Sequence, residues 1–210
     1  MEKKNNQDEE DKIIFNIITI GDTEVGKTAI IRRYLENDFN PSSLATIGFN
    51  QSVKELTMKD NEKITLNITD TAGQEQYRSL CTQYVKNVAT VLFVFDLSNK
   101  KSFNNIKQWI QFFNDNSNDV DIPKYLIGNK KDLNKEVNED MIEVFLDDNK
   151  DFIFKETSAK ESVIEINDLF QEISEKLYDK YKTDKNFKEK FKKVRLDKKE
   201  NKEKSKCIQC

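Results

Sequence analysis

Gly21 and Gly26 stand five residues apart in the stretch GDTEVGKT, with Lys27 and Thr28 directly behind. Glycine tolerates backbone angles that turn successive N–H groups inward onto a phosphate chain. A lysine in the next position can reach β- and γ-phosphate oxygens, and the hydroxyl after it can hold Mg²⁺. The pattern G-x-x-x-x-G-K-[ST] carries this chemistry when a strand precedes it and a helix follows. Here the run IIFNIITI precedes it, and a segment of helical period begins at Lys27. The positive end of that helix points at the same phosphates. Taken alone, the pattern also fits a glycine turn into an ordinary helix.

Two further stretches extend the chemistry. ITDTAGQE (68–75) places Asp70 at a strand end, where a second anchor for Mg²⁺ belongs. Gly73 would let a backbone N–H approach the γ-phosphate. Gln74 has both a donor and an acceptor and suits the orientation of an attacking water. Thr46, eighteen residues after Thr28, lies in a stretch long enough to cover the nucleotide and bring a second hydroxyl to the ion. A loop ordered only when the γ-phosphate is present makes a switch. Outside this company, an Asp at a strand end is better read as a cap or turn residue.

A base reader follows in IGNKKD (127–132). Guanine offers two adjacent donors, N1–H and N2–H₂, and the Asp132 carboxylate can accept both. Adenine lacks that pair and would leave the carboxylate unsatisfied. The Lys130 stem could lie along the base face, and Asn129 could tie this loop to the glycine loop. In ETSAK (156–160), the Ala159 N–H can donate to guanine O6. Phe39, eleven residues after Thr28, is an aromatic candidate for the base edge. NKKD alone fits a loop or a helix cap equally well.

These residues need a scaffold, and the pattern supplies one. Short runs rich in Ile, Val and Phe fall at 13–20, 63–69, 90–97, 124–129 and 151–158. Two of them are almost continuously apolar, as expected of strands covered on both faces. Helical periodicity separates most of them, over 27–36, 76–87, 102–116, 137–149 and 163–181. Alternation of this kind predicts an α/β fold, a parallel sheet with helices on both faces. The stretch 47–58 is expected to be one more strand, antiparallel to 63–69 through the turn-like KDNE. A helical extension to about Leu196 is possible, with disorder expected beyond it.

Composition narrows the function classes. There is no histidine, which excludes His-based triads and His metal sites. Any metal must then be held by oxygens, which favours a hard cation. No stretch approaches the roughly 18 apolar residues of a membrane span. The first residues, MEKKNNQDEEDK, have no apolar signal-peptide core, so a cytosolic location is expected. The net charge of −3 is uneven: from Lys182 to Cys210 there are twelve Lys or Arg against five Asp or Glu. An acidic body with a basic tail argues against a nucleic-acid partner and suits an anionic membrane surface, or a tail that only aids solubility. Cys81 reads as a small buried apolar residue.

Together these boxes, in this order at successive strand ends, resemble the small GTPases of the Ras superfamily over residues 12–181. YRSLCTQYVKNV after the DTAGQ box, FVFDLSNKKSFNNIKQWI and the Lys-rich end with cysteines are most similar to the Rab family. The resemblance implies a doubly wound, six-stranded, mostly parallel sheet with one antiparallel strand, a P-loop, a GTP/GDP cycle with Mg²⁺, and work in vesicle traffic. It implies nucleotide contacts from Gly21, Asp22, Thr23, Glu24, Val25, Gly26, Lys27, Thr28 and Ala29, and from Phe39, Thr46, Asp70 and Gly73. On the base side it implies Asn129, Lys130, Asp132, Leu133, Ser158, Ala159 and Lys160. Metal ligands would be Thr28, Thr46 and Asp70; Lys27 and Gln74 would be catalytic. Residues 1–11 would form a flexible start and 182–210 a variable basic tail. Implied partners are exchange factors, activating proteins, effectors, a GDP-dissociation inhibitor and the prenylation machinery. The implied location is the cytoplasmic face of intracellular membranes, with a soluble pool.

The chain departs from the Rab pattern in places. A Trp is common just before DTAGQ; here it is Thr69. Val-Asp/Glu-Phe is usual after Thr-Ile-Gly; here it is Phe49-Asn50-Gln51. Both changes bear on partner choice. Glu24 stands where small residues are common, and its charge should weaken nucleotide binding only modestly. The end CIQC would be prenylated at Cys207 if read as C-a-a-X, though Cys is not a usual last residue. Rabs often carry two such cysteines, which brings in Cys210. A two-Cys zinc or redox site and an inert end are the alternatives. A Ras- or Rho-type signalling GTPase and a non-cycling GTP-binding scaffold remain rival readings of the whole.

Overall fold

The structure, a computed structural model, describes residues 12–40, 46, 48–72, 82–118 and 121–191. Six strands form one sheet: β1 (Ile13–Ile20), β2 (Phe49–Thr57), β3 (Lys63–Thr71), β4 (Thr90–Asp96), β5 (Lys124–Asn129) and β6 (Phe152–Glu156). Their spatial order is β2-β3-β1-β4-β5-β6. β2 runs antiparallel to β3, and every other neighbouring pair is parallel. The helices are α1 (Lys27–Glu36), α2 (Lys100–Asn104), α3 (Ile106–Asn116), α4 (Glu139–Asp148), α5 (Val163–Thr183) and α6 (Lys185–Lys190). This is the parallel α/β sheet expected from the alternation of patterns, in the doubly wound form that the resemblance implies.

Burial explains the strand compositions. β4 is buried along its whole length and β1 nearly so, because neighbours flank both and helices cover both faces. β2 is an edge strand, and half-buried positions alternate with exposed ones along most of its length. The aromatic core joins the layers: Phe93 packs on Phe113 of α3 and Phe152 of β6, and Phe95 packs on Phe103 of α2. On the other face Tyr34 of α1 stacks on Phe170 of α5 with ring centroids 3.9 Å apart.

Capping residues set the helix starts. Asn99 accepts from Lys101 N and Ser102 N, Asn138 from Met141 N, and Ser162 from Glu165 N. The helix expected over 102–116 is two helices, α2 and α3, which meet at Asn105. At the far end α5 continues to Thr183, and α6 follows after the Asp184 cap. Phe187 and Phe191 are buried against Phe15, with centroids 6.1 Å and 5.9 Å from its ring. Of the helix expected over 76–87, residues 76–81 lie outside the described residues, as does Cys81; 82–87 form turns.

Candidate functional site

The carboxyl ends of β1, β3, β4, β5 and β6 lie along one edge of the sheet, the usual binding edge of a parallel α/β sheet. After β1 the chain enters the glycine loop. Gly21 has φ 152, and a Cβ there would come within 2.1 Å of the Val94 carbonyl oxygen. Gly26 has φ 98, and a Cβ there would come within 2.2 Å of Asn129 Nδ2. Side chains are therefore excluded at both positions for two reasons, conformation and space. Val25 is buried, Thr23 and Glu24 are exposed, and Ala29 packs against the core from α1. Glu24 takes a left-handed conformation, φ 64.

Lys27 is buried, and its ammonium donates to the carbonyls of Gly21 at 2.9 Å and Asp22 at 2.7 Å. The Asp22 carboxylate accepts from Asn105 Nδ2 and from Trp109 Nε1, both at 2.7 Å. That clamp ties the loop to the first turn of α3. Sequence reasoning missed it, although Asn105 and Trp109 are four apart on one helix face.

Thr28, Thr46 and Asp70 come from three separate segments and meet. Thr28 Oγ1 donates to Asp70 Oδ2 at 2.6 Å and lies 2.7 Å from Thr46 Oγ1. Thr46 Oγ1 is 3.3 Å from the same carboxylate oxygen. Asp70 is buried, and its Oδ1 has no hydrogen-bond partner. Burial holds its carboxyl above the ordinary range, against the lowering pull of the Thr28 hydrogen bond and the Lys27 charge. An unsatisfied buried carboxylate oxygen is costly. One carboxylate and two hydroxyls, all oxygen donors, fit a hard divalent cation that takes its remaining ligands from phosphate and water.

The base-side residues also converge. Asn129 Nδ2 donates to Val25 O at 2.9 Å, so the tie between NKKD and the glycine loop is present. Asn129 Oδ1 accepts from Thr157 Oγ1 and from Ala159 N, both at 3.2 Å. The Ala159 N–H, considered above as a guanine donor, thus has a protein partner. Asp132 Oδ1 accepts from Ser158 Oγ at 2.6 Å, and Lys160 Nζ is 3.7 Å from Asp132 Oδ2. Leu133 is exposed. Arg33 of α1 donates to the carbonyls of Ala159 at 2.7 Å and Lys160 at 2.9 Å, and its guanidinium lies 5.7 Å from the Phe39 ring centroid. Nothing in the sequence marks Arg33 for this, since an Arg on a helix is ordinary. Gly73, Gln74, Cys207 and Cys210 lie outside the described residues.

A six-stranded doubly wound sheet with G-x-x-x-x-G-K-T between its first strand and first helix defines a P-loop protein of the Ras-like GTPase fold. The profile described as "Ras: Ras family" matches residues 16–179. Ras-related protein Rab-8A of Pongo abelii is 35% identical over 159 residues, 75% of each chain. Ras-related protein Rab-8B of Homo sapiens is 37% identical over 151 residues, 71% of this chain and 72% of that one. Ras-related protein Rab-8 of Diplobatis ommata is 37% identical over 152 residues, 71% of each. The chain belongs to the Ras family and is a Rab-like small GTPase, a hydrolase of GTP. Ras-family GTPases generally use Mg²⁺ with GTP and work through regulators and effectors.

Proposed function

We propose that this chain is a Rab-type switch in vesicle-mediated membrane traffic, gripping Mg²⁺–GTP or Mg²⁺–GDP at the strand ends described above. The observation that carries this reading is the meeting of Thr28, Thr46 and Asp70 beside the glycine loop, with one Asp70 oxygen unpartnered. Thr28, Thr46 and Asp70 would hold Mg²⁺, which when bound neutralises charge on the β- and γ-phosphate oxygens. Lys27 would exchange its two carbonyl partners for phosphate oxygens. Gln74 would orient the water, and Asp132 would read guanine once Ser158 shares its carboxylate. No arginine finger is evident in the sequence, so intrinsic turnover should be slow, on the order of 10⁻⁴ per second.

The output would be a surface around 39–51 and 70–85 that differs between the two nucleotide states. Effectors, an exchange factor and an activating protein would read or set that difference, and a GDP-dissociation inhibitor would extract the lipidated form. Prenylation at Cys207 and Cys210, together with the basic tail, would satisfy the two-signal rule for stable anchoring at a cytoplasmic membrane face. Retention of GDP by purified protein in Mg²⁺, followed by single-turnover GTP hydrolysis with and without Gln74→Leu, tests the core of this reading. Wild type should hydrolyse GTP measurably faster than Gln74→Leu. A protein that retains no guanine nucleotide overturns the site. Equal negligible rates with nucleotide retained would leave a non-cycling scaffold.

A further inference from the structure

We infer that Asp96 is a positioning residue for guanine-nucleotide retention and acts through Lys130. The inference rests on the nucleotide-site reading above. Asp96 ends β4 and Lys130 follows β5, and the register places Asp96 opposite Asn129. The Lys130 ammonium lies 2.7 Å from Asp96 Oδ2, with the lysine side chain 33% exposed and the aspartate side chain 9% exposed. The other carboxylate oxygen, Oδ1, accepts from Ser98 N at 2.8 Å and from Ser98 Oγ at 2.7 Å. Both oxygens are therefore occupied. The carboxylate is held by its own loop on one oxygen and meets the lysine on the other.

The backbone fixes where the Lys130 stem starts. It takes a left-handed conformation, φ 61, which costs a residue with a Cβ about 1 kcal/mol or more. The turn is held by Leu133 N donating to Lys130 O and Lys131 N donating to Thr157 O. That turn carries Lys130 past the end of the sheet, next to Asn129 and two residues before Asp132. A lysine stem is flexible and loses rotamer entropy when held in one place. A nearly buried carboxylate at the tip fixes the chain in advance, so the four methylenes form a preset apolar strip where the base is to lie. Strand β4 thus contributes to base binding without touching the base. The NKKD stretch says nothing of this, because Asp96 lies 34 residues upstream.

The test is a double-mutant cycle on the release rate of a fluorescent GDP analogue in Mg²⁺, with Asp96→Asn, Lys130→Met and both together. Asp96→Asn is expected to release GDP about tenfold faster, the effect of a lost hydrogen bond to a charged group. In the Lys130→Met background the same change should have no further effect. No acceleration by Asp96→Asn, or equal acceleration in both backgrounds, overturns the inference. If Asp96→Asn fails to fold, Ser98→Ala carries the test: a smaller acceleration, again absent with Lys130→Met. The wild-type control separates the two levels. Wild type that binds no GDP defeats the nucleotide reading itself, whereas a wild type that holds GDP with no coupling defeats only the role of Asp96.

Discussion

Single residues set what the site can discriminate. Asp132 has one oxygen bonded to Ser158 and a second near Lys160, so the carboxyl group is held in place where, on the proposed reading, it would meet the donor pair of guanine. Asp132→Asn replaces an acceptor-only group with one that also donates. Guanine affinity should then fall by at least about 100-fold, and xanthine nucleotides should bind better than guanine ones, as measured by competition. Glu24 poses a different question, because its φ of 64 suits glycine. Glu24→Gly should stabilise the folded protein by about 1 kcal/mol in thermal unfolding. It also removes a negative charge beside the phosphate loop, but the side chain is exposed and screened, so GDP affinity should rise less than about tenfold. A gain of several orders of magnitude would contradict this account.

Between elements, the turn joining β2 and β3 is tied to the end of α5. Asp60 Oδ2 accepts from Tyr178 Oη at 2.8 Å and from Lys182 Nζ at 2.9 Å. The hydrogen bond from Lys182 comes first and that from Tyr178 second in lowering the Asp60 carboxyl from 3.8 to about 2. Because the folded value is depressed, this contribution to stability is present above pH 3.8 and is lost as pH falls toward 2. Asp60→Asn should therefore lower the melting temperature slightly at pH 7, and the gap from wild type should close as pH falls from 4 to 2. The group is exposed, so 1 M salt should shrink the gap as well. A gap independent of pH would mean the tie is packing rather than charge.

For the whole molecule, α6 extends the domain past the region matched by the Ras family profile, which ends at residue 179. Tyr181, Phe187 and Phe191 surround Phe15 at the start of β1. Three rings on one buried ring make a second aromatic cluster, at the opposite end of β1 from the glycine loop. Phe187→Ala should cost about 3 kcal/mol in denaturant unfolding, the low end for a buried Phe because a terminal helix can detach on its own. Single-turnover GTP hydrolysis should be unchanged, since no part of this cluster touches the strand ends that form the candidate site. A parallel loss of hydrolysis would show that the extension supports the site.

Strand identity and most helix positions were legible locally, because burial on both faces imposes continuous apolar runs and burial on one face imposes a period. The phosphate loop was legible for a similar reason: glycine, lysine and hydroxyl must be close in sequence to act on one phosphate chain. That Asp70 and Thr46 would meet Thr28 was legible only once the loop was accepted as an anchor. What the sequence alone determined, then, was the order of elements and the chemistry packed into short stretches. Tertiary structure decided the rest: the break at Asn105 that frees its side chain for Asp22, the reach of Arg33 to Ala159, the carboxylate of Asp96 under Lys130, and α6 against Phe15. Each of these pairs residues far apart in the chain, and their proximity depends on the register of a folded sheet, which no local pattern encodes.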